Sequence, residues 1–423
     1  MESISLRIRK LGVVYYLVLL VIVFFLMRPF VVPPMMIRLA LFGLIFIPTI
    51  FVPRILPAVL LLFYGVDMVS FTHVLPESNI YLCAVVLICY VVYKGKSRFV
   101  LKALLAVFYF FFCAMIHNSV GDVFLWLVVA ILLSDMIRER EDLSLLFHSF
   151  LLVSLFLGLL FLVHQQEFAV QFGKMEEDLE RSGWINNNVF GGAIAAGGVL
   201  AMAYLTGALN FSKTKITTIL SATVAVIVFV VLVLNASRGA FFAFLLCAAT
   251  MLLLTRSKLY IKLLLLLAVG VVIYIMYTND TFALLQARME SDNTATAGSR
   301  TVIWKTKLTE FFASSNPLVL LFGIGQTACI NLGVYYSTHN DFVTAIIAYG
   351  FVGLFLFLFF IFFFPVNKAG KNERINVMIL LLYLVIECMV LEPIFRGYIL
   401  EIMFYFFVLK YVTIKDTELA QLL

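Results

Sequence analysis

The stretch GVYYSTHNDFVTAIIAYG, residues 333–350, sets Ser337, Thr338, His339, Asn340 and Asp341 against the start of a long apolar run. An imidazole that is neutral near pH 7 can take a proton from a hydroxyl group. Asp341 could fix the tautomer of that imidazole or, with Asn340 and Tyr336, bind sugar hydroxyls, although capping the next helix is the plainer role for Asn340 or Asp341. Arg238 is the second candidate. In VLVLNASRGAFFAFLL it lies between two apolar runs, at a corner that Ser237 and Gly239 make possible. A guanidinium at membrane depth is costly without an anionic partner. It either snorkels to lipid phosphates or clamps a diphosphate, since its fork binds two oxygens and stays charged. Arg300, in GSRTVIW, could hold the other phosphate or be an ordinary loop charge. Upstream, ERSGWINNNVFGGAIAAGGVL brings Arg181, Trp184 and Asn188 to the mouth of a run rich in small residues. Trp184 could stack on a sugar ring or anchor at the membrane interface, and the asparagines could bind sugar or cap a helix.

The elements that carry these groups are hydrophobic helices. Of the 423 residues, 64% are hydrophobic and 13% charged, too apolar a balance for one water-soluble core. We read an all-α polytopic membrane protein, a single domain over residues 1–423, with about fourteen spans of roughly 17 to 22 residues. The first run follows the basic RIRK without a cleavage site and reads as a retained helix. The basic loops RIRK, Arg54, KGKSR, RERED, KTK, RSK and NKAGKNER alternate along the chain and read as cytoplasmic, with both termini. The remaining loops then face outward, and two of them are long, residues 165–188 and 278–342. The second has apolar residues at helical spacing in TFALLQARMES and SRTVIWKTKLTEFFASS, the latter stopped by Asn-Pro. Short amphipathic helices across the outer membrane face are expected there. Arg288 and Arg396 are further outward arginines, which charge placement alone would not favour.

Other groups have plainer readings. The net charge of +6 suits loop lysines and arginines and is not a nucleic-acid signal. The cysteines form no CxxC pair and read as buried small hydrophobes. His73, His117, His148 and His164 stand singly, with no zinc-ligand spacing, so neither a metal site nor a cofactor is expected. LFGIGQ has the glycines of a phosphate loop but no Lys-Ser/Thr after them.

The ordered set NASRGAFFAFLL, GSRTVIWK, NPLVLLFGIG and THNDFVTAIIAYGFVG, preceded by SGWINNNVFGG, resembles the signature region of the O-antigen polymerase and ligase superfamily over roughly residues 180–365. The resemblance implies an integral-membrane glycosyltransferase of the bacterial inner membrane that works on the periplasmic face. Its donor would be a glycan on undecaprenyl diphosphate. Arg238 would bind the diphosphate, His339 would sit by the reacting hydroxyl, and Arg300 would be a further diphosphate or loop-ordering residue. The diphosphate leaves without protonation if arginines stabilise its charge, so the reaction is expected to need no metal and to invert the anomeric centre.

Ligases of this superfamily often carry a glutamate shortly after the His-Asn pair, where this chain has DFVTAI; that favours polymerisation of repeat units over ligation to lipid A core. A transporter of lipid-linked glycan is the alternative of another class, but transporters gather charge near the bilayer midplane. A chain-length regulator, a flippase and membrane lipids are the expected partners.

Overall fold

A computed structural model of the chain describes residues 35–70, 78–93, 109, 132–168, 187–211, 213–235, 237–255, single positions between 262 and 278, 300–334, 337–391, 393–395 and 399–422. All regular structure among the described residues is helical. In chain order the helices are α1 (Met35–Phe51), α2 (Leu56–Ser70), α3 (Ser78–Val92), α4 (Arg140–Val163), α5 (Asn187–Leu205), α6 (Lys215–Leu234), α7 (Arg238–Leu254), α8 (Arg300–Phe312), α9 (Pro317–Phe322), α10 (Gln326–Asn331), α11 (Asp341–Leu358), α12 (Phe364–Lys368), α13 (Arg374–Val390) and α14 (Ile399–Leu422). Helix is what apolar runs must form in hydrocarbon, because only it satisfies every backbone group within the segment. Four are long and apolar enough to cross a membrane: α4, α5, α6 and the continuous stretch from Asp341 to Lys368. The expected first span, and the runs near residues 109, 129 and 268, lie wholly or largely outside the described residues.

Helix α5 is the axis of the bundle, buried along nearly its whole length among α4, α6 and α7. Its glycines and alanines allow that closeness. A Cβ added at Gly197 would stand 2.6 Å from the Phe150 carbonyl oxygen of α4, and the Ser154 hydroxyl donates to the Ile194 carbonyl at 3.0 Å. Small residues at helix crossings let backbones approach and dispersion contacts accumulate, which is the principal attraction where hydrophobicity gives none.

The bundle has two chemically different ends. At one, Arg54 pairs with Glu139 and reaches Asp142 at 3.7 Å, Arg138 lies over the Tyr93 ring, and Arg140 donates to the Asn210 carbonyl. Asn376 donates to the Ala208 carbonyl, and the Asn210 amide to the Tyr411 hydroxyl, at the same end. Loops that the alternation of basic charge assigned to one side thus meet in space. Helices α5, α7, α11 and α13 have their other termini, near residues 187, 238, 341 and 390, at the opposite end.

Candidate active site

At that opposite end, the loop before α11 is fixed from three directions. Asn340 is the N-cap: its Oδ1 accepts from the Phe342 and Val343 amides at 2.9 and 3.1 Å, and its Nδ2 donates to the Met389 carbonyl at 3.5 Å. Asp341 is fully buried, and its two carboxylate oxygens accept from the Ile394 and Phe395 amides, each at 3.0 Å. The Thr338 hydroxyl meets that of Thr344 at 2.5 Å. His339 is half-exposed in this frame, with φ of 49°, in the left-handed region. Histidine enters that region more readily than most residues, and neighbours that over-determine a loop can hold it there.

The third direction is α8, one of the helices expected from the outer loop. Its Trp304 donates through Nε1 to the Thr338 carbonyl at 2.6 Å, immediately before His339. Arg300 opens the same helix four residues earlier and therefore shares the face of Trp304. One turn further on, Lys307 is fully buried, and its ammonium donates to the carbonyls of Cys329, Ile330, Leu332 and Val334 at 2.6 to 3.0 Å. These carbonyls end α10 and begin the turn beyond it, where helical oxygens lack intrahelical partners and a cation is favoured. The Asn-Pro pair expected to stop α8 instead starts α9: the helix ends at Phe312, Asn316 caps Leu318 at 3.0 Å, and Pro317 takes the first position, where its missing N–H costs nothing.

LFGIG is a backbone dock. Helix α11 kinks at Gly350, with φ of 69°, and the carbonyls of Ile347 and Ala348 accept from the amides of Ile324 and Gly325 at 3.0 and 2.9 Å. Gly323, with φ of 80°, and Gly350 are pressed against the opposing backbones so closely that a Cβ at either would stand 2.3 Å from a main-chain atom. Both need the left-handed conformation and the absence of a side chain.

Arg238 begins α7, and it is half-buried. The preceding corner is held by the Ser237 hydroxyl, which donates to Asn188 Oδ1 at 3.4 Å, and by Asn235, whose Nδ2 donates to the Asn187 carbonyl at 2.6 Å. Gly239 packs on Val390, where a Cβ would be 2.4 Å from a side-chain carbon, while Asn340 bonds the neighbouring Met389 carbonyl. The SRG corner and the His339 loop therefore flank one helical end, the last turn of α13. Of the expected site residues, Arg238, Arg300, His339, Asn340, Asp341 and Asn188 lie among the described ones. Asn340, read as either a sugar binder or a helix cap, is the cap; Asp341, read the same way, accepts from the Ile394 and Phe395 amides, and Asn188 accepts from Ser237. Arg181, Trp184, Arg288, Tyr336 and Arg396 lie outside the described residues.

Sequence reading missed Trp304 and Lys307, whose partners are main-chain carbonyls that no side-chain pattern displays. It also passed over Glu387 and Glu401, both fully buried, whose carboxylate oxygens meet no hydrogen-bond partner among the described residues and crowd the Cα of Gly192. A carboxylate inside an apolar run, as in LVIECMV, was their available signal.

Residues 223–358, about a third of the chain, match the family described as O-antigen ligase. The match begins inside α6 and ends with α11, so it takes in the SRG corner, α8, the backbone dock and the His339 loop. Among curated proteins no relative was found.

Proposed function

We propose that this chain, whose residues 223–358 match the O-antigen ligase family, polymerises oligosaccharide repeat units carried on undecaprenyl diphosphate, at the periplasmic face of the inner membrane. Arg238, assisted by Arg300, binds the diphosphate of the donor, and His339 serves the acceptor. In the reaction, an acceptor sugar hydroxyl attacks the anomeric carbon of the donor glycan. A C–O bond forms there as the C–O bond to the diphosphate breaks, its electron pair leaves with the phosphate oxygen, and the hydroxyl proton passes to the His339 imidazole. The arginines stabilise the charge that develops on the leaving group, so this chain's part in the reaction requires no further Lewis acid, and attack opposite the leaving group inverts the anomeric centre. Asn340 and Asp341 hold the loop and do not touch substrate.

The observation that carries this reading is the shared support of the two groups. Gly239, next to Arg238, and Asn340, next to His339, rest on the consecutive residues Val390 and Met389. His339 is half-buried and follows the peptide that Trp304 fixes, which suits a group that must be oriented toward a substrate.

The family description, O-antigen ligase, is equally compatible with a second reading, ligation of finished glycan to lipid A core. An acceptor swap separates the two: purified protein given lipid-linked repeat units alone makes ladders if it is a polymerase, whereas activity only on addition of lipid A core makes it a ligase. Arg238→Ala and His339→Ala should each abolish product at unchanged protein level, with export of lipid-linked units intact. Lost export with chemistry retained would instead identify a transporter.

A further inference from the structure

We infer that Asn187 and Asn235 form a sugar-recognising subsite beside Arg238, taking a hydroxyl or amide N–H of the sugar adjoining the diphosphate; this rests on the lipid-linked-glycan reading above. Both residues are more than nine-tenths buried, yet each leaves a sealed polar atom without a hydrogen-bond partner, Asn187 Nδ2 and Asn235 Oδ1. Buried amide atoms without partners are uncommon, because each has lost its hydration and gained nothing in return. A leucine of similar size at position 187 would avoid that cost, so a ligand is the economical explanation for the two atoms, which lie in segments joined by the Asn235–Asn187 hydrogen bond.

Their chemistry restricts the ligand. The Asn235 side chain cannot turn over, because its Nδ2 is held on the Asn187 carbonyl at 2.6 Å and a flip would set oxygen against oxygen. Its Oδ1 therefore accepts and nothing else. A phosphate dianion, which only accepts, cannot satisfy it. A sugar hydroxyl or an acetamido group can, since either donates to Asn235 and accepts from Asn187. The corner is also stiff: the Asn235 amide closes α6 on the Val231 carbonyl at 2.7 Å, and Ser237 ties the start of α7 to Asn188. Arg238 follows Asn235 by three residues on that corner. A polar subsite of this kind discriminates strongly, because a ligand lacking the matching group leaves the amides unpaired.

The test is binding of two probes, undecaprenyl diphosphate and undecaprenyl diphosphate bearing one 2-acetamido sugar, to the full chain in detergent, together with thermal melting. The wild type should bind the sugar-bearing probe about tenfold tighter, the worth of a buried hydrogen bond or two. Asn187→Leu should bind the two probes alike, keep the affinity for the bare diphosphate and melt no lower than the wild type; Asn187→Ala should repeat the loss of sugar preference. Equal binding of both probes by the wild type, or a sugar preference surviving in either variant, overturns the subsite while leaving the diphosphate reading in place. Failure of Asn187→Leu and Asn187→Ala to fold overturns it too, since the amide would then serve the protein interior. Absence of binding to either probe by the wild type defeats the proposed function and this inference with it.

Discussion

At the residue scale, the candidate site is a set of side chains held by main-chain carbonyls and amides. Trp304 illustrates how this bears on catalysis. Its indole N–H fixes the Thr338 carbonyl and so the peptide that leads into His339. Trp304→Phe keeps the ring and removes the donor. It should lower kcat about tenfold with KM nearly unchanged, at a stability cost of about 1 kcal/mol. Steady-state kinetics on lipid-linked repeat units decide this, and a change confined to KM would mean that the indole holds substrate instead. Lys307 acts further back. Lys307→Met leaves four carbonyls without their ammonium and should destabilise the outer segment by about 2–4 kcal/mol, read as faster proteolysis between residues 300 and 340. Of these residues, His339 and Arg238 were visible in the sequence because their chemistry is unusual beside hydrocarbon. Trp304 and Lys307 were not, because tryptophan and lysine are ordinary in an amphipathic helix and only a partner far along the chain makes them otherwise.

At the element scale, the decisive feature is the interlock of Gly323 with the kink in α11. The carbonyls of Ile347 and Ala348, which a straight helix would use internally, take amides from Ile324 and Gly325 instead. This joins the outer segment to a membrane-embedded helix through main chain alone. Gly350→Ala adds a Cβ 2.3 Å from the Leu321 carbonyl carbon in a left-handed residue and should cost 3 kcal/mol or more, about the sum of strain and overpacking. Thermal melting in detergent measures it, and an unchanged midpoint would show that the dock is dispensable. The sequence showed the glycines of LFGIGQ without the Lys-Ser/Thr that a phosphate loop needs, but it did not reveal what they approach. Contacts between backbones have no side-chain signature.

At the scale of the whole molecule, polarity is segregated between two ends. Arg54, Arg138, Arg140 and their acidic and carbonyl partners mark one end, and the termini of α5, α7, α11 and α13 mark the other. Sidedness follows if the basic end is cytoplasmic. In a chain freed of its native cysteines, Ser337→Cys should react with a membrane-impermeant maleimide in intact cells or spheroplasts, and Lys371→Cys only after permeabilisation. The reverse pattern would turn the protein over and place the candidate site at the wrong face for a periplasmic reaction.

Composition and periodicity by themselves determined that the chain is helical and membrane-embedded, where most described helices run, and which loops share a face, because hydrophobic length and charge placement are local properties that a bilayer reads directly. The same local reading singled out His339 and Arg238, whose chemistry is unusual beside apolar runs. Only the tertiary structure decided that Asn340 and Asp341 brace the loop, that α8 is clamped through Trp304 and Lys307, and that the corner at Arg238 rests beside the His339 loop on the end of α13. Those outcomes depend on groups more than twenty residues apart, and in places more than a hundred, coming within hydrogen-bond or van der Waals reach, and such proximities exist only once the helices have packed.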